Sequence, residues 1–290
     1  MRSLAEAVAD QAASNRSGAG HEDHLAGHRA RMTREICLRA PPGGTGRLCL
    51  LGSGRANDVD LDALTEQFSE VHLVDIDPES LAFAVSRVGE ARRSRIVTHA
   101  PLDASGIFHR LEGWAKTPPL PSTLAREADE APRRVTAALP GPFDVVVSCC
   151  LLTQLHLVLL QVVGDRNPRF GELRQALGSI HVRTLTSLLG PGGVALLVTD
   201  LTSSATFPFE LIEPGDDLGA LMTRLLAADN VIYASHPGRL SAEIRRDPVL
   251  AAQFAVRFPI GPWLWHNGPE QTYLVYALEI TRRRESSPPP

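Results

Sequence analysis

Lysine is almost absent from this chain of 290 residues. All but one of its 29 basic residues are arginines, and the exception is Lys116. A phosphate-binding loop of the G-x-x-x-x-G-K-[ST] type needs a lysine after its last glycine, whereas Lys116 follows Trp114 and Ala115. It also opens a proline-rich run, which is a poor place for the packed amine of a Schiff-base enzyme. P-loop nucleotide hydrolases are therefore excluded, and pyridoxal enzymes are disfavoured.

Long basic runs, paired cysteines and long apolar runs are also missing. The formal net charge is -4 and the one basic triplet, Arg282 to Arg284, is C-terminal, so nothing favours binding to nucleic acid. The four cysteines lack C-x-x-C spacing, and the adjacent Cys149 and Cys150 are poorly placed for an ordinary disulfide. No run approaches the roughly 18 apolar residues of a membrane helix, and no signal peptide is evident. We therefore expect a cytoplasmic protein that binds neither membranes nor nucleic acids.

Short apolar runs alternate with longer helical stretches from Arg47 onward. This alternation predicts a mostly parallel sheet with helices on both faces. The pair Asn267-Gly268 between two apolar runs predicts an antiparallel hairpin for the last two strands. The expected strands are 47–51, 71–74, 95–99, 143–149, 193–199, 255–266 and 272–281. The expected helices are 22–38, 59–68, 78–88, 151–163 and 173–189.

The two ends of the chain differ in composition from its middle. Residues 1–40 are expected to form a flexible or helical arm that could act as a lid, because Pro41-Pro42-Gly43-Gly44 is a strong linker signal. Residues 282–290 are expected to form a solvated tail. The main domain then spans residues 41–281.

Two stretches of the main domain lack a clear pattern. Residues 117–142 are rich in proline and are expected to be irregular, apart from one helical turn near 123–128. Residues 201–254 mix loop and helix and are longer than a simple crossover requires. Because such insertions often form ligand sites, we expect residues 201–254 to shape the substrate side.

The most informative segment, Leu48 to Asp58, reads as a strand, a Gly52-Ser53-Gly54 turn and the start of a helix. Glycines at such a turn let a ligand approach the backbone at the positive end of a helix. The next strand ends in Asp75, 23 residues after the first glycine, and this carboxylate could accept hydrogen bonds from both hydroxyls of a ribose. Asp77, directly before Pro78, fits a helix N-cap better. The segment therefore predicts a nucleoside-binding site.

Five motifs in this order make the sequence resemble the class I S-adenosylmethionine-dependent methyltransferases, over about residues 45–281. The similar motifs are Gly52-Ser53-Gly54, the ribose motif Val74-Asp75-Ile76-Asp77-Pro78, the adenine-side motif Leu102-Asp103-Ala104, residues 143–150, and the turn Leu189-Gly190-Pro191-Gly192-Gly193. The resemblance implies a Rossmann-like α/β fold. Its seven-stranded sheet would be mostly parallel with the last strand antiparallel, and S-adenosylmethionine would lie above the carboxyl ends of strands one to four.

The resemblance also implies roles for individual residues. Gly52 and Gly54 would admit the methionine part of the cofactor, Asp103 would bond to the adenine amine, and the backbone of Cys149 would lie near the sulfonium. For the Cys149 thiol itself, a place in the core is the simpler interpretation. The implied cofactor-binding residues are Gly52, Ser53, Gly54, Asp58, Asp75, Ile76, Asp103, Ala104 and Cys149.

The chain departs from the family pattern near the glycine turn. Leu50 stands where the family often has an acid, and Ala56 occupies the third small position. Contact to the methionine amine must then come from elsewhere, and Asp58 is a candidate, although a helix N-cap explains Asp58 equally well. A G-x-G followed by an acid also occurs in nicotinamide-dinucleotide enzymes, but Asn57 stands where their third glycine should be. The methyltransferase interpretation is therefore preferred.

Catalytic residues are harder to identify, because a methyl group on sulfonium is already activated and needs mainly positioning. Gln154 and His156 follow strand four, and His156 could act as a base at neutral pH, although simple packing in a helix explains it as well. In the terminal hairpin, Trp263 and Trp265 share one face, with Tyr273 on the partner strand. Core packing is the simpler interpretation of this aromatic group.

His21, Asp23, His24 and His28 lie close together in the arm, and the three histidines have the spacing of one helix face. A metal site needs converging ligands and supporting groups around them. The sequence offers no partner that must meet these histidines. We therefore predict a solvated helix and no metal site.

These observations lead to one prediction with three alternatives. We predict an S-adenosylmethionine-dependent methyltransferase that acts on a small molecule, since the near-neutral charge disfavours a nucleic-acid substrate. The missing acid at Leu50 motivates an alternative in which the cofactor is cleaved or cyclised without an external acceptor. A cofactor-binding module without catalysis is the second alternative, and a nicotinamide oxidoreductase is less favoured. The sequence carries no signal for the oligomeric state.

Overall fold

The computed structural model describes residues 2–17, 22–213, 215–268 and 271–283. A central sheet contains the strands β1 (Gly46–Leu51), β2 (Phe68–Val74), β3 (Ile96–His99), β4 (Phe143–Cys149), β5 (Leu189–Ser203), β6 (Phe254–His266) and β7 (Thr272–Arg282). Their spatial order is β3-β2-β1-β4-β5-β7-β6. The neighbours from β3 to β5 pair in parallel, whereas β7 is antiparallel to both β5 and β6.

Twelve helices are found among the described residues. They are α1 (Leu4–Ser17), α2 (Glu22–Cys37), α3 (Leu61–Gln67), α4 (Pro78–Ser86), α5 (Glu90–Arg93), α6 (Phe108–Lys116), α7 (Pro121–Ala137), α8 (Leu151–Val163), α9 (Phe170–Ser187), α10 (Leu218–Ala227), α11 (Pro237–Arg246) and α12 (Pro248–Gln253). Two short 3-10 turns lie at Phe209–Leu211 and Tyr233–Ser235. None of the described helices combines the length and the apolar character of a membrane span.

The strand order and the strand directions confirm the predicted fold class. All seven predicted strands are present, and the hairpin around Asn267 pairs β6 and β7 as predicted. The largest difference in length is at β5, which begins at Leu189 and continues to Ser203 because it follows β7 beyond the predicted end. The tail prediction falls mainly on residues 284–290, which lie outside the described residues.

The sheet separates two hydrophobic cores, as the alternation of side chains along a strand requires. Cys49 and Leu51 of β1 face a core formed with helices such as α6, α8 and α9. Leu48 and Leu50 face the opposite core, which includes residues of α2, α3 and α4. Helices therefore cover both faces of the sheet, and this arrangement leaves the carboxyl ends of the parallel strands at one shared edge.

The N-terminal arm is integrated into the body of the protein. Met32 and Ile36 of α2 are completely buried in the second core, and α2 packs against β6. Arg39 forms ion pairs with Glu35 and with Glu279 of β7. The linker signal after residue 40 therefore marks the turn into β1 and not a gap in the packing.

The expectation of an irregular segment at 117–142 is wrong, because most of it forms the long helix α7. Pro121 lies in the first turn, where a missing N–H costs nothing, and Pro132 is tolerated inside the helix. Leu124, Ala131 and Val135 are buried against the first core. Burial of this apolar face outweighs the proline signal, which dominated the interpretation of the sequence.

A buried carboxylate also holds α7 in place. Glu127 is fully buried and forms an ion pair with Arg110 of α6, with 3.0 Å between Nε and Oε1. Arg134 forms a second ion pair with Glu127 and also donates to the carbonyl oxygen of Gly106. The ion pair with Arg110 joins α7 to α6, which borders the site described below, whereas the pair with Arg134 lies within α7.

We predict that Glu127→Gln lowers the free energy of unfolding by roughly 1–3 kcal/mol, because it keeps the volume and removes two charge-assisted hydrogen bonds. Urea denaturation followed by circular dichroism measures this change. The matched control is Glu130→Gln on the same helix, whose carboxylate is 43% exposed and should change stability by less than about 1 kcal/mol. Equal effects of the two substitutions would contradict the role assigned to Glu127.

Candidate functional site

The turn after β1 brings its backbone close to the end of β2. Gly52 and Gly54 have φ values of 70° and 48°, a region that favours glycine. The N–H groups of Gly52 and Ser53 both donate to the carbonyl oxygen of Val74, at 2.9 and 3.2 Å. A Cβ on Gly52 would lie 2.9 Å from the Cβ of Leu151. Glycine is therefore required here by both backbone conformation and space.

Asp75 fixes this turn with its side chain. One carboxylate oxygen accepts the N–H of Gly54 at 2.8 Å, and the other accepts the N–H of Asp77 at 2.9 Å. Burial raises the pKa of Asp75, and the two N–H donors oppose that shift. The predicted ribose contact of Asp75 remains a prediction, and its structural role was not anticipated. Asp77 caps α4 by accepting the N–H of Glu79, as predicted.

Two adjoining cavities lie at the carboxyl ends of the strands. The larger one, here called the polar cavity, has a volume of about 230 Å³ and borders the glycine turn. The smaller one, here called the narrow cavity, has a volume of about 40 Å³ and borders the end of β2. Gly52 and Gln154 line both of them, as does Gln11 of α1. One elongated ligand could therefore occupy both cavities.

The narrow cavity brings together five of the residues predicted to bind the cofactor, Gly52, Asp75, Ile76, Asp103 and Ala104. Asp103 accepts hydrogen bonds from the backbone N–H groups of Ser105 and Phe108, both at 2.8 Å. These bonds hold the carboxylate at the start of α6. The contact of Asp103 with an adenine amine remains a prediction.

Helix α1 closes the outer side of the narrow cavity. Val8 and Gln11 are part of its lining, and Ala7 is completely buried. The helix is fixed at its start, where the N–H of Arg2 donates to the carbonyl oxygen of Gln161 and the N–H of Leu4 donates to Glu112, both at 2.9 Å. The start of α1 is therefore held by both α8 and α6.

Asp58 lines the polar cavity beside Ser53 and Gly54. It is not the helix cap that the sequence offered as an alternative, because Asp60 caps α3 by accepting the N–H of Ala63. Burial raises the pKa of Asp58 from 3.8 to about 6, and the positive charge of Arg29 opposes the shift. Asp58 is thus placed where a cationic group of a ligand could meet it.

An aromatic stack borders Asp58. The N–H of the Trp263 indole donates to Nδ1 of His28 at 2.9 Å, while Nε2 of His28 lies 3.6 Å from Asp58. Burial lowers the pKa of His28 to about 3, so this ring is neutral. The rings of Trp265 and His28 stack at 4.8 Å, and Tyr273 packs on Trp265 at 5.0 Å. The hairpin aromatics therefore have two roles, since Trp263 is buried whereas Trp265 and Tyr273 line the polar cavity.

Asp200 lines the polar cavity and was missed by the sequence interpretation. It lies in β5 and is buried, and Thr153 of α8 donates its hydroxyl to the carboxylate at 2.8 Å. Burial raises its pKa from 3.8 to about 6, against the effect of the Thr153 hydrogen bond. An available signal was its position, because the predicted fifth strand ended at 199, directly before this acid.

The structure places Cys150, and not Cys149, in the lining of the polar cavity. Cys149 is buried in the second core, so its thiol is a core residue as the simpler interpretation held. Cys150 has a φ of 47° and precedes α8 directly. Burial raises the pKa of both thiols well above the usual value, so neither is a thiolate at neutral pH.

His156 does not face either of these cavities, which corrects its predicted placement beside the substrate. Its Nδ1 lies 2.7 Å from the carbonyl oxygen of Leu152, and its Nε2 lies 3.1 Å from that of Arg174. Gln154 faces the cavities whereas His156 faces α9, because two residues along a helix differ in direction by about 200°, slightly more than half a turn. Burial lowers the pKa of His156. The role of Gln154 remains a prediction.

The structure describes His24 and His28 of the four arm residues considered for a metal site. His28 is committed to Trp263 and the aromatic stack. His21 lies outside the described residues, as does the side chain of Asp23. Within the described residues, no group of three or more histidine, cysteine or acidic side chains could hold a metal ion.

Several solved structures are similar to this chain in shape. The YcgJ protein from Bacillus subtilis is 14% identical, with 89% of this chain and 100% of that chain covered and a TM-score of 0.46. The N-methyltransferase NodS from Bradyrhizobium japonicum, in complex with S-adenosyl-L-homocysteine, is 11% identical, with coverages of 88% and 86% and a TM-score of 0.42. An O-methyltransferase from Bacillus cereus, also in complex with SAH, is 13% identical, with coverages of 96% and 90% and a TM-score of 0.43.

No protein-family model and no curated protein matches the sequence. At the identities and TM-scores above, likeness in shape does not decide what this chain binds. Any function must therefore be argued from the residues of the two cavities.

We predict that Gly52→Ala destabilises the protein more than Gly43→Ala does. Both glycines have positive φ, at 70° and 85°, but only at Gly52 would a Cβ be crowded, by Leu151. The expected losses of unfolding free energy are about 1 kcal/mol at Gly43 and roughly 2–4 kcal/mol at Gly52, measured by urea denaturation. Equal losses would contradict this prediction, because they would mean that α8, which carries Leu151, makes room for the new Cβ without loss of stability.

Proposed function

We propose that this protein is an S-adenosylmethionine-dependent methyltransferase whose substrate is a small molecule. The observation that carries the proposal is the meeting of the glycine turn, Asp75, Asp103 and Asp58 around two adjoining cavities at the carboxyl ends of parallel strands. In open α/β sheets, ligands bind outside these strand ends. Motif residues that follow different strands along the chain thus line one pair of adjoining cavities, which is consistent with a single ligand site.

The donor set of the cavities suits this cofactor. Asp58 and Ser53 in the polar cavity offer a carboxylate for an ammonium group and a hydroxyl for hydrogen bonding. The Ser53 hydroxyl is buried and has no hydrogen-bond partner in the part of the chain that the structure describes. Ile76 and Leu102 in the narrow cavity offer apolar contact for an adenine, with Asp103 beside them. Asp58 would then replace the acid that is missing at Leu50.

When bound, the cofactor supplies a methyl group on sulfonium, which leaves positioning and water exclusion to the protein. The backbone at Gly52 and Gly54 admits the ligand closely because no side chain intervenes. The stack of His28, Trp265 and Tyr273 fixes one wall of the polar cavity. The wall and the glycine turn together would hold the reacting groups in line.

The narrow cavity, at about 40 Å³, is far smaller than the few hundred Å³ usual for ligand sites. Val8 and Gln11 of α1 line it from outside. We therefore propose that α1 acts as a lid that shifts when the cofactor enters, which gives a physical basis to the expectation of a lid in residues 1–40.

Two alternatives keep the fold and the cofactor. In one, S-adenosylmethionine is cleaved or cyclised without an external acceptor, and in the other it is bound without reaction. Mass spectrometry after incubation with S-adenosylmethionine and candidate acceptors distinguishes these alternatives from methyl transfer. Methyl transfer yields S-adenosylhomocysteine, cleavage yields methylthioadenosine, and binding without reaction yields neither.

Calorimetric titration tests the first step of the proposal. We expect S-adenosylmethionine and S-adenosylhomocysteine to bind and NAD to give no heat. Asp75→Ala should weaken the binding by roughly 1–3 kcal/mol if the ribose hydroxyls use this carboxylate. The proposal is wrong if neither sulfur compound binds and a nicotinamide nucleotide does.

The pH dependence of binding tests the role of Asp58. Because its pKa is about 6, the carboxylate is ionised above that pH and neutral below it. We expect the affinity for S-adenosylhomocysteine to be constant above about pH 7 and to fall below pH 6, towards a limit of about tenfold per pH unit. Asp58→Asn should weaken binding by roughly 1–3 kcal/mol at pH 7.5 and flatten the profile.

Protonation of Asp58 lowers the affinity below pH 6 without unfolding the protein. The folded pKa of Asp58 lies above the ordinary 3.8, so the folded state binds the proton more tightly than the unfolded state does. Protonation of this carboxyl therefore stabilises the fold as the pH falls from about 6 towards 4. Circular dichroism at each pH is the control, and an unchanged profile in Asp58→Asn would contradict the assignment.

A further inference from the structure

We propose that the polar cavity receives a small-molecule amine as the methyl acceptor, and that the Asp200 carboxylate binds the nitrogen and takes up the proton that it loses. The reaction rests on the proposed function. The amine site itself is a property of this chain and can be tested by binding alone.

The first argument is a buried negative charge without a cation. Asp200 is 5% exposed, and the donor of its hydrogen bond, the Thr153 hydroxyl, carries no charge. In the part of the chain that the structure describes, no basic side chain forms an ion pair with Asp200. Buried charges in proteins are normally paired, because desolvation of an unpaired charge is costly. A cationic or strongly hydrogen-donating group of a ligand is the missing partner.

The second argument is that the cavity around Asp200 is built to hold a ligand. Tyr273 lines it, and burial together with the charge of Asp200 raises the pKa of this phenol, so the hydroxyl remains a neutral donor. Tyr273 is also fixed by its packing on Trp265 at 5.0 Å. The buried hydroxyl of Ser53 lines the same cavity without a partner among the described residues. The Tyr273 hydroxyl already donates to Oε1 of Gln271 at 3.4 Å, so Tyr273 contributes a fixed wall, and of these two groups only the Ser53 hydroxyl lacks a partner in the described part of the chain.

The two carboxylates of the cavity have separate positions. Asp58 follows the glycine turn after β1, whereas Asp200 belongs to β5 on the far side of β4. Cys150 lies close enough to both for each negative charge to raise the pKa of its thiol. Asp58 can therefore serve the ammonium of the cofactor while Asp200 serves a second molecule.

The chemistry of Asp200 favours an amine over the other common methyl acceptors. A carboxylate acceptor would place two like charges together, and an alcohol would leave the buried charge uncompensated. An alcohol and an amine can both donate a hydrogen bond to the ionised carboxylate, but only the amine, in its ammonium form, adds a positive charge beside it. The pKa of about 6 also makes Asp200 a better proton acceptor than an ordinary aspartate.

The atoms and electrons of the step balance without a further reactant. The amine reacts as the neutral base, since an ammonium has no lone pair and must first release a proton to solvent. Its nitrogen lone pair forms a bond to the methyl carbon, and the carbon–sulfur bond breaks with its electron pair remaining on sulfur. The methylated nitrogen then carries a positive charge and one proton too many. That proton passes to the carboxylate of Asp200, which Thr153 keeps oriented through its hydrogen bond.

The test is calorimetric binding of three probes of similar shape to protein saturated with S-adenosylhomocysteine at pH 7.5. The probes are phenethylamine, 2-phenylethanol and phenylacetate. We expect phenethylamine to bind most tightly, and Asp200→Asn to weaken its binding by about tenfold or more. The binding of 2-phenylethanol should change by less than about threefold. The matched control is Asp229→Asn, whose carboxylate is exposed, bonds to Arg239 and lies outside both cavities.

Each outcome decides the proposal. It is overturned if phenethylamine binds no more tightly than 2-phenylethanol, if Asp200→Asn binds it like the unaltered protein, or if no probe binds while S-adenosylhomocysteine does. Should Asp200→Asn fail to fold, the unaltered protein supplies the test, since phenethylamine affinity must fall as the pH drops below about 6. If S-adenosylhomocysteine does not bind but the preference for phenethylamine persists, the proposed function fails and the amine site stands.

Discussion

The carboxylate of Asp75 is the interaction on which the site depends. It joins the N–H of Gly54 to the N–H of Asp77, and so connects the turn after β1 with the start of α4. Leu102 donates its N–H to the backbone carbonyl of Asp75, which adds the segment after β3 to the same edge. Three strand ends are thus held together by one residue, which lines the narrow cavity. A ribose bound here would have to share the Asp75 carboxylate with the two backbone N–H groups that it already accepts.

Burial at this edge explains why two further carboxylates are unusual. Asp58 and Asp200 both lose hydration without gaining a full ionic partner, and this raises the pKa of each to about 6. Glu127 in α7 differs from these two carboxylates, because it is fully buried but is paired with two arginines. The contrast indicates that the charges in the cavity are arranged for ligands and those in the helices for stability.

Sequence patterns predicted the sheet because each strand carries a local signal of apolar alternation and a turn. They also predicted the glycine turn and the lining of the narrow cavity, where motif residues lie next to one another along the chain. They failed for α7, where prolines suggested a loop, since the burial of Leu124 and Val135 depends on distant helices. They failed for His156 as well, because the direction of a side chain on α8 depends on the rotation of that helix against the sheet.

Asp200 shows why the acceptor side is harder to predict than the cofactor side. The residues around it come from β5, α8 and the hairpin of β6 and β7, so their sequence separations are long and no motif connects them. The cofactor side is made of consecutive loops, each of which follows a strand. Under the proposed function, the acceptor chemistry would therefore depend on Asp200, Tyr273 and Trp265 and not on the motifs that predict the fold.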